Sequence, residues 1–243
     1  MNAETIEVDS RLLGRAVLAI DNFDQTADFA SFERDYIAAH SPAYVTCRVP
    51  VENIREIHAL EDAGFHLIEC QIRSAIKLRK FYDVLDSAYH FQEVRREEEL
   101  TDVLRIAGTT FVHDRFALDP ATPAGFSGER YRQYVLRSFH ASDECVYRLI
   151  DRQSGCTVGF KTHRYVSPTE VLFLLGGVDP DLKDLGLGVI AEYFEFNELI
   201  RKGVTRGITH ISACNYPVFN LEIGRLGFRV LATLAVMRKV YPG

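Results

Sequence analysis

A chain of 243 residues with 47% apolar side chains can close one large core or two small ones. Its net charge of -6 and lack of any basic run exclude a nucleic-acid footprint, because phosphate neutralisation needs clustered Lys and Arg. No run of about 18 apolar residues occurs and residues 1–10 are polar and acidic, so neither a membrane span nor a secretory signal is predicted, and the expected location is cytoplasmic.

Along the first third, residues 15–20 read as a strand, Phe29, Phe32 and Tyr36 recur at helical spacing, and residues 44–49 read as a second strand. Asn53 and Glu56 resemble a capping box ahead of Ile54, Ile57 and Leu60, predicting a helix that ends at Gly64. A strand over 66–78 follows. Residues 79–90 have no period and are expected to link two parts, 1–85 and 86–243, with the boundary near Asp86.

Beyond the linker, the pattern predicts a strand at 91–95, a helix through Leu100, Val103, Leu104 and Ala107, a loop over 114–128 and a helix over 129–139. Strands are expected at 146–151, 157–165 and 171–175, the last an unbroken apolar run. Val189, Tyr193, Phe196 and Ile200 mark a helix that stops at Gly203. A strand at 208–213, a helix at 218–225 and a strand at 231–240 complete the chain. Strands and helices in this order imply an α/β or α+β class built on a mixed sheet. The segment from Thr46 through Pro50 and Asn53 to Gly64-Phe65 also echoes that from Ala213 through Pro217 and Asn220 to Gly227-Phe228, suggesting one strand–helix–strand unit used twice.

Five scattered cysteines, Cys47, Cys70, Cys145, Cys156 and Cys214, form no Cys-x-x-Cys pair, so reduced thiols are expected and no metal site. The segment with chemical content runs from Leu175 and Gly176 to Gly188, between an apolar strand and an amphipathic helix. Glycines at such a junction let a ligand approach the backbone, and the free amides of the first helical turn form an anion site. Val178-x-Pro180-x-x-Lys183-x-x-Gly186-x-Gly188 resembles the coenzyme A loop of the GNAT superfamily of N-acyltransferases, with Lys183 where that family usually has Arg or Gln. The resemblance spans residues 90–240 and implies a GNAT-like fold with acetyl-CoA, or another acyl-CoA, as co-substrate. It implies that Leu175, Gly176 and Val178 hold the pantetheine arm, that the oxyanion meets an amide at Leu175 or Gly176, and that Lys183, Asp184, Leu185, Gly186, Leu187 and Gly188 hold the pyrophosphate. Asn215 is implied beside the thiol.

Residues 12–14, 57–65 and 111–120 resemble bacterial acyltransferases that act on nucleotide-linked 4-amino-4,6-dideoxyhexoses, which also carry a degenerate N-terminal GNAT-like half. By that resemblance His113, Arg115 and Phe116 lie over the acceptor, with Arg115 on a phosphate and His163 reaching in from its strand. The partners implied are a coenzyme A thioester and a small-molecule amine, a nucleotide sugar foremost, with a homodimer left open. The leaving-group tyrosine common in the family is missing: Ile223 stands four residues before Gly227-Phe228, and counting from Asn215 reaches Glu222. Tyr216 is the nearest phenol and the expected acid.

Overall fold

The computed structural model describes residues 2–21, 23, 29–84 and 88–242. Its ten strands form one sheet in the order β1-β2-β3-β10-β4-β9-β8-β7-β6-β5. In chain order these are β1 Asn2–Thr5, β2 Val17–Asp21, β3 Tyr44–Pro50, β4 His66–Lys77, β5 Tyr89–Glu93, β6 Glu144–Asp151, β7 Thr157–Ser167, β8 Glu170–Val178, β9 Arg206–Ser212 and β10 Arg229–Val240. β2–β3 and β8–β9 are parallel and the other pairs antiparallel, so the sheet is mixed, as expected. The helices are α1 Glu7–Leu13, α2 Phe29–His40, α3 Ile54–Asp62, α4 Thr101–Thr110, α5 Arg115–Leu118, α6 Phe126–His140, α7 Leu187–Arg201 and α8 Tyr216–Phe219. Among the described residues no helix is long and apolar enough to cross a membrane.

Alternation along β7 sorts the helices onto two faces. Phe160 points into a core with Val103, Ile106 and Ala107 of α4 and Tyr131 and Val135 of α6. Its neighbour Lys161 points the other way, to Glu192 of α7. On that second face Phe196 and Leu199 of α7 pack against Val171, Phe173 and Phe228. A third core, with Tyr36, Leu60 and Phe65, covers β2, β3 and β10.

The two parts expected from the sequence share this sheet. β10 lies between β3 and β4, and β4 lies between β10 and β9. Each strand–helix–strand unit, β3–α3–β4 and β9–α8–β10, thus leaves a gap that the second strand of the other unit fills. The sequence echo is real, with a corrected register. Asn53 and Asn215 are the N-cap residues of α3 and α8, so Asn53 corresponds to Asn215 and not to Asn220. From Asn to the Gly-Phe pair is eleven residues in the first unit and twelve in the second. The extra residue is taken up by a π-helical turn, Asn220–Leu226, which also replaces the regular helix expected over 218–225. The boundary expected near Asp86 lies outside the described residues.

Candidate functional site

β8 and β9 pair only at Glu170↔Arg206, Val171↔Gly207 and Leu172↔Ile208. Beyond Leu172 the strands part, leaving residues 173–178 as one lip and Thr209 to Ser212 as the other. The second lip is held from behind by β4, through Ser74↔Thr209, Arg73↔His210, Ile72↔Ile211 and Gln71↔Ser212. A shift of register between Thr162 and His163 marks a bulge on β8 at the point of divergence. There the Leu175 N–H donates to Thr162 Oγ1 at 3.0 Å, so this amide, one of two expected to hold an oxyanion, is already engaged. The Val178 carbonyl accepts from Thr110 Oγ1 at 3.2 Å.

Gly176 and Gly177 belong to β8 and not to a loop, because the bulge brings them into register with Lys161 and Phe160. A side chain at Gly176 would come within 2.9 Å of Lys161 Nζ, so the lysine stem lies across the glycine. After Val178 the chain makes a 3-10 turn, Pro180–Leu185, capped by Asp179, which accepts from Asp181 N at 3.2 Å and from Arg105 at 2.7 Å. The side chains of Lys183, Asp184 and Leu185 lie outside the described parts. Gly186, at φ 70°, ends this turn and begins α7. Among the described residues no side chain caps α7, no acidic residue occupies its first turn, and a Cβ at Gly186 would meet nothing within 4 Å. Leu187 is buried in the core beneath, which fixes the helix start. Amides at the start of a 15-residue helix that no described side chain caps can receive an anion.

Behind the opening, on the α7 face, lies a buried polar cluster. Lys161 pairs with Glu192, lies 3.4 Å from Glu195 and is held above the usual lysine range, the two carboxylates outweighing the burial that alone would lower it. Burial raises Glu192 in spite of Lys161. Glu222, from the π-helical turn, is 6% exposed and its Oε2 has no hydrogen-bond partner. Burial and the Glu192 carboxylate push it up to about 8, against the opposing influence of Lys161 and Ser74. Ser74 is paired with the second lip at Thr209 and Lys161 with the first at Gly176, and both act on the Glu222 carboxyl. Counting from Asn215 reached this residue, but nothing in the sequence signalled its burial.

The expected acid, Tyr216, is 66% exposed at the start of α8 and outside this cluster. Asn215 caps α8 by accepting from Val218 N at 3.4 Å, so its side chain is spent on the helix.

On the opposite face, β4 supplies residues that sequence reasoning missed. Arg48 donates to Gln71 at 3.0 Å and Gln71 to Glu69 at 2.7 Å. Glu69 takes the guanidinium of Arg115, whose side chain is 10% exposed, so this arginine is neutralised where a free phosphate contact was expected. Phe116 is buried beneath the guanidinium groups of Arg115, 4.3 Å away, and Arg130, 3.7 Å away, and is a packing residue. His113 is exposed in the same loop. His163 is fully buried on the α7 face with Nδ1 2.8 Å from Glu195, so it does not reach the acceptor side. Arg73, by contrast, is exposed and pairs with no carboxylate among the described residues. Beside it His210 keeps contact with solvent and is pushed down to about 4 by partial desolvation and by Arg48 and Arg73, so its imidazole is neutral near pH 7.

No protein-family model matches the sequence, and no curated protein matches it. Among solved structures, a GCN5-related N-acetyltransferase from Sphaerobacter thermophilus superposes with a TM-score of 0.70 at 13% identity, covering 99% of this chain and 77% of that one. A tandem GNAT protein of the clavulanic acid biosynthesis pathway gives 0.65 at 12% identity over 93% of this chain and 76% of that one. A GCN5-related N-acetyltransferase from Kribbella flavida gives 0.61 at 16% identity over 94% and 82%. The fold is therefore the mixed α/β fold of GNAT structures.

Proposed function

We propose that the chain is an N-acyltransferase that moves an acetyl or similar acyl group from acyl-coenzyme A to a primary amine. One observation carries this: the parting of β8 and β9 after Leu172 and Ile208, immediately ahead of the helix that starts at Gly186. The unpaired edge beyond Leu172 suits the amides of an extended pantetheine arm, as an added strand would. The helix start at Gly186 and Gly188 suits a pyrophosphate.

Transfer is direct. A neutral amine attacks the thioester carbonyl, the tetrahedral oxyanion is held by the Gly176 amide now that Leu175 is engaged, and the thiolate departs. Glu222, carrying its proton at neutral pH, is the acid that meets the thiolate, in place of Tyr216. His210, neutral and open to solvent at the second lip, takes the amine proton directly or through water.

The acceptor lies on the Arg73 and His210 face. Arg73, with no carboxylate partner among the described residues, favours an amine on an anionic carrier, and a nucleotide-linked 4-amino-4,6-dideoxy sugar is the foremost candidate, with amino acids next. Residues 1–85 act as the degenerate half that shapes this side through β4. Thiol release from acetyl-CoA, measured against a panel of nucleotide-linked amino sugars, amino acids and neutral amines, is the test. Tight acetyl-CoA binding without release on any amine would instead identify a non-catalytic acyl-CoA-binding protein.

A further inference from the structure

Away from the lips, Cys145 on β6 stands directly opposite His163 on β7. Cross-strand partners present their side chains on one face, so thiol and imidazole are neighbours. The Nδ1 of His163 is 2.8 Å from Glu195 Oε1, which turns Nε2 away from α7. That nitrogen is buried in a side chain 1% exposed, and it has no hydrogen-bond partner. A buried polar nitrogen left unpaired is costly, which favours a partner at that position. The sulfur of Cys145, itself partly exposed, is the group that faces it. Thiol, imidazole and carboxylate in this order form the arrangement that activates a cysteine, the carboxylate fixing the ring and the charged ring stabilising the thiolate.

The other titratable groups around the pair complete the setting. Tyr147 stacks on the imidazole at 5.6 Å and Tyr165 meets it edge-on at 5.3 Å. Lys202 donates to the Tyr147 hydroxyl at 2.6 Å, and Lys161 lies 3.4 Å from the second oxygen of Glu195. Burial alone would depress His163, but Cys145 and Glu195 together raise it to about 9, so the ring holds a proton readily.

We infer that Cys145, His163 and Glu195 form a nucleophilic thiol site that exchanges with low-molecular-weight disulfides. His163 already carries its proton at the pH of reaction, so Cys145 gives its own proton to water and the thiolate, held beside the imidazolium, attacks one sulfur of the disulfide. The old S–S bond breaks as the new one forms, and the departing thiolate takes a proton from water. Cys145 is oxidised and half of the small disulfide is reduced, with no other reactant. The imidazole links the mixed disulfide to Glu195, which also neighbours Lys161.

The full-length chain is treated with oxidised glutathione at pH 6.5 and the adducts are located by peptide mass mapping over time. Cys145 is expected to react about tenfold or more faster than Cys156 and Cys214, although both are more exposed. Glu195→Gln should remove most of that advantage and Cys145→Ser all of the fast phase. A Cys145 no faster than the two exposed thiols overturns the inference, as does an unchanged rate in folded Glu195→Gln. Should Glu195→Gln not fold, the ranking within the unaltered chain decides alone.

Discussion

Glu222 is a carboxyl that the fold keeps protonated. Its folded pKa, about 8, lies above the ordinary glutamate value of 4.5, so between those limits the folded chain holds a proton that the unfolded chain has lost. Stability from this group is present in full below pH 4.5 and falls as pH rises through 8. Glu222→Gln removes the penalty, and its melting temperature relative to the parent is expected to climb from pH 5 to pH 8.5; a difference flat with pH would place the proton elsewhere. The same variant should lose turnover by about 10²-fold, the low end for general acids because a thiolate leaves easily, while acetyl-CoA affinity holds. Gly188 predicts the converse. Among the described residues a Cβ there would meet only Leu221, at 3.9 Å, so Gly188→Glu is expected to fold but to put a carboxylate at the start of α7, and calorimetry should show acetyl-CoA binding lost. Of these two residues only the glycine was legible beforehand. The spacing of the loop singles it out, whereas the pKa of Glu222 depends on Glu192, Lys161 and Ser74, which arrive from three other elements.

At the scale of elements, periodicity located most helices and strands, because their apolar faces are set by the cores they close. It missed α1 and α5, seven and four residues long, which are too short to show a period. It also missed the bulge on β8 and the π-helical turn, since one inserted residue looks like ordinary sequence. The first sits at a lip and the second carries Glu222. That Arg115 is not a free guanidinium was hidden for a related reason. Arg115 is prominent in its motif, but Glu69 of β4 neutralises it across 46 residues of sequence, while Arg73 on the same strand has no carboxylate partner among the described residues. Arg73→Ala is therefore expected to raise KM for anionic acceptors by about 10- to 100-fold, the worth of a charge-assisted contact, and to leave neutral amines and acetyl-CoA affinity unaffected. An equal effect on neutral amines would take Arg73 out of acceptor recognition.

At the scale of the molecule, composition and element order led to an α/β fold with an N-terminal half, but not to the exchange of strands between the halves. No local signal reports that β4 belongs between β9 and β10, because pairing partners more than a hundred residues apart leave no trace in a short window. The exchange ties the halves together. So does Arg130 of α6, whose Nε donates at 2.8 Å to the fully buried Asp9 of α1. Removing one partner of such a buried pair costs about 3–5 kcal/mol, so Asp9→Ala should lower chemical stability by that order in a denaturant titration. A fragment of residues 88–243 loses more. β10 would have neither β3 nor β4 beside it, β9 would lose its only antiparallel neighbour, and Glu222 would lose Ser74. That fragment is expected to be insoluble when expressed alone, and fragments 1–84 and 88–243 expressed together are expected to assemble and to bind acetyl-CoA. The cut falls between β4 and β5, which occupy different places in the sheet, so no strand pair is broken by it. A soluble, acetyl-CoA-binding fragment 88–243 with a cooperative melt would show that the C-terminal part closes its own sheet, and that the strand exchange is dispensable.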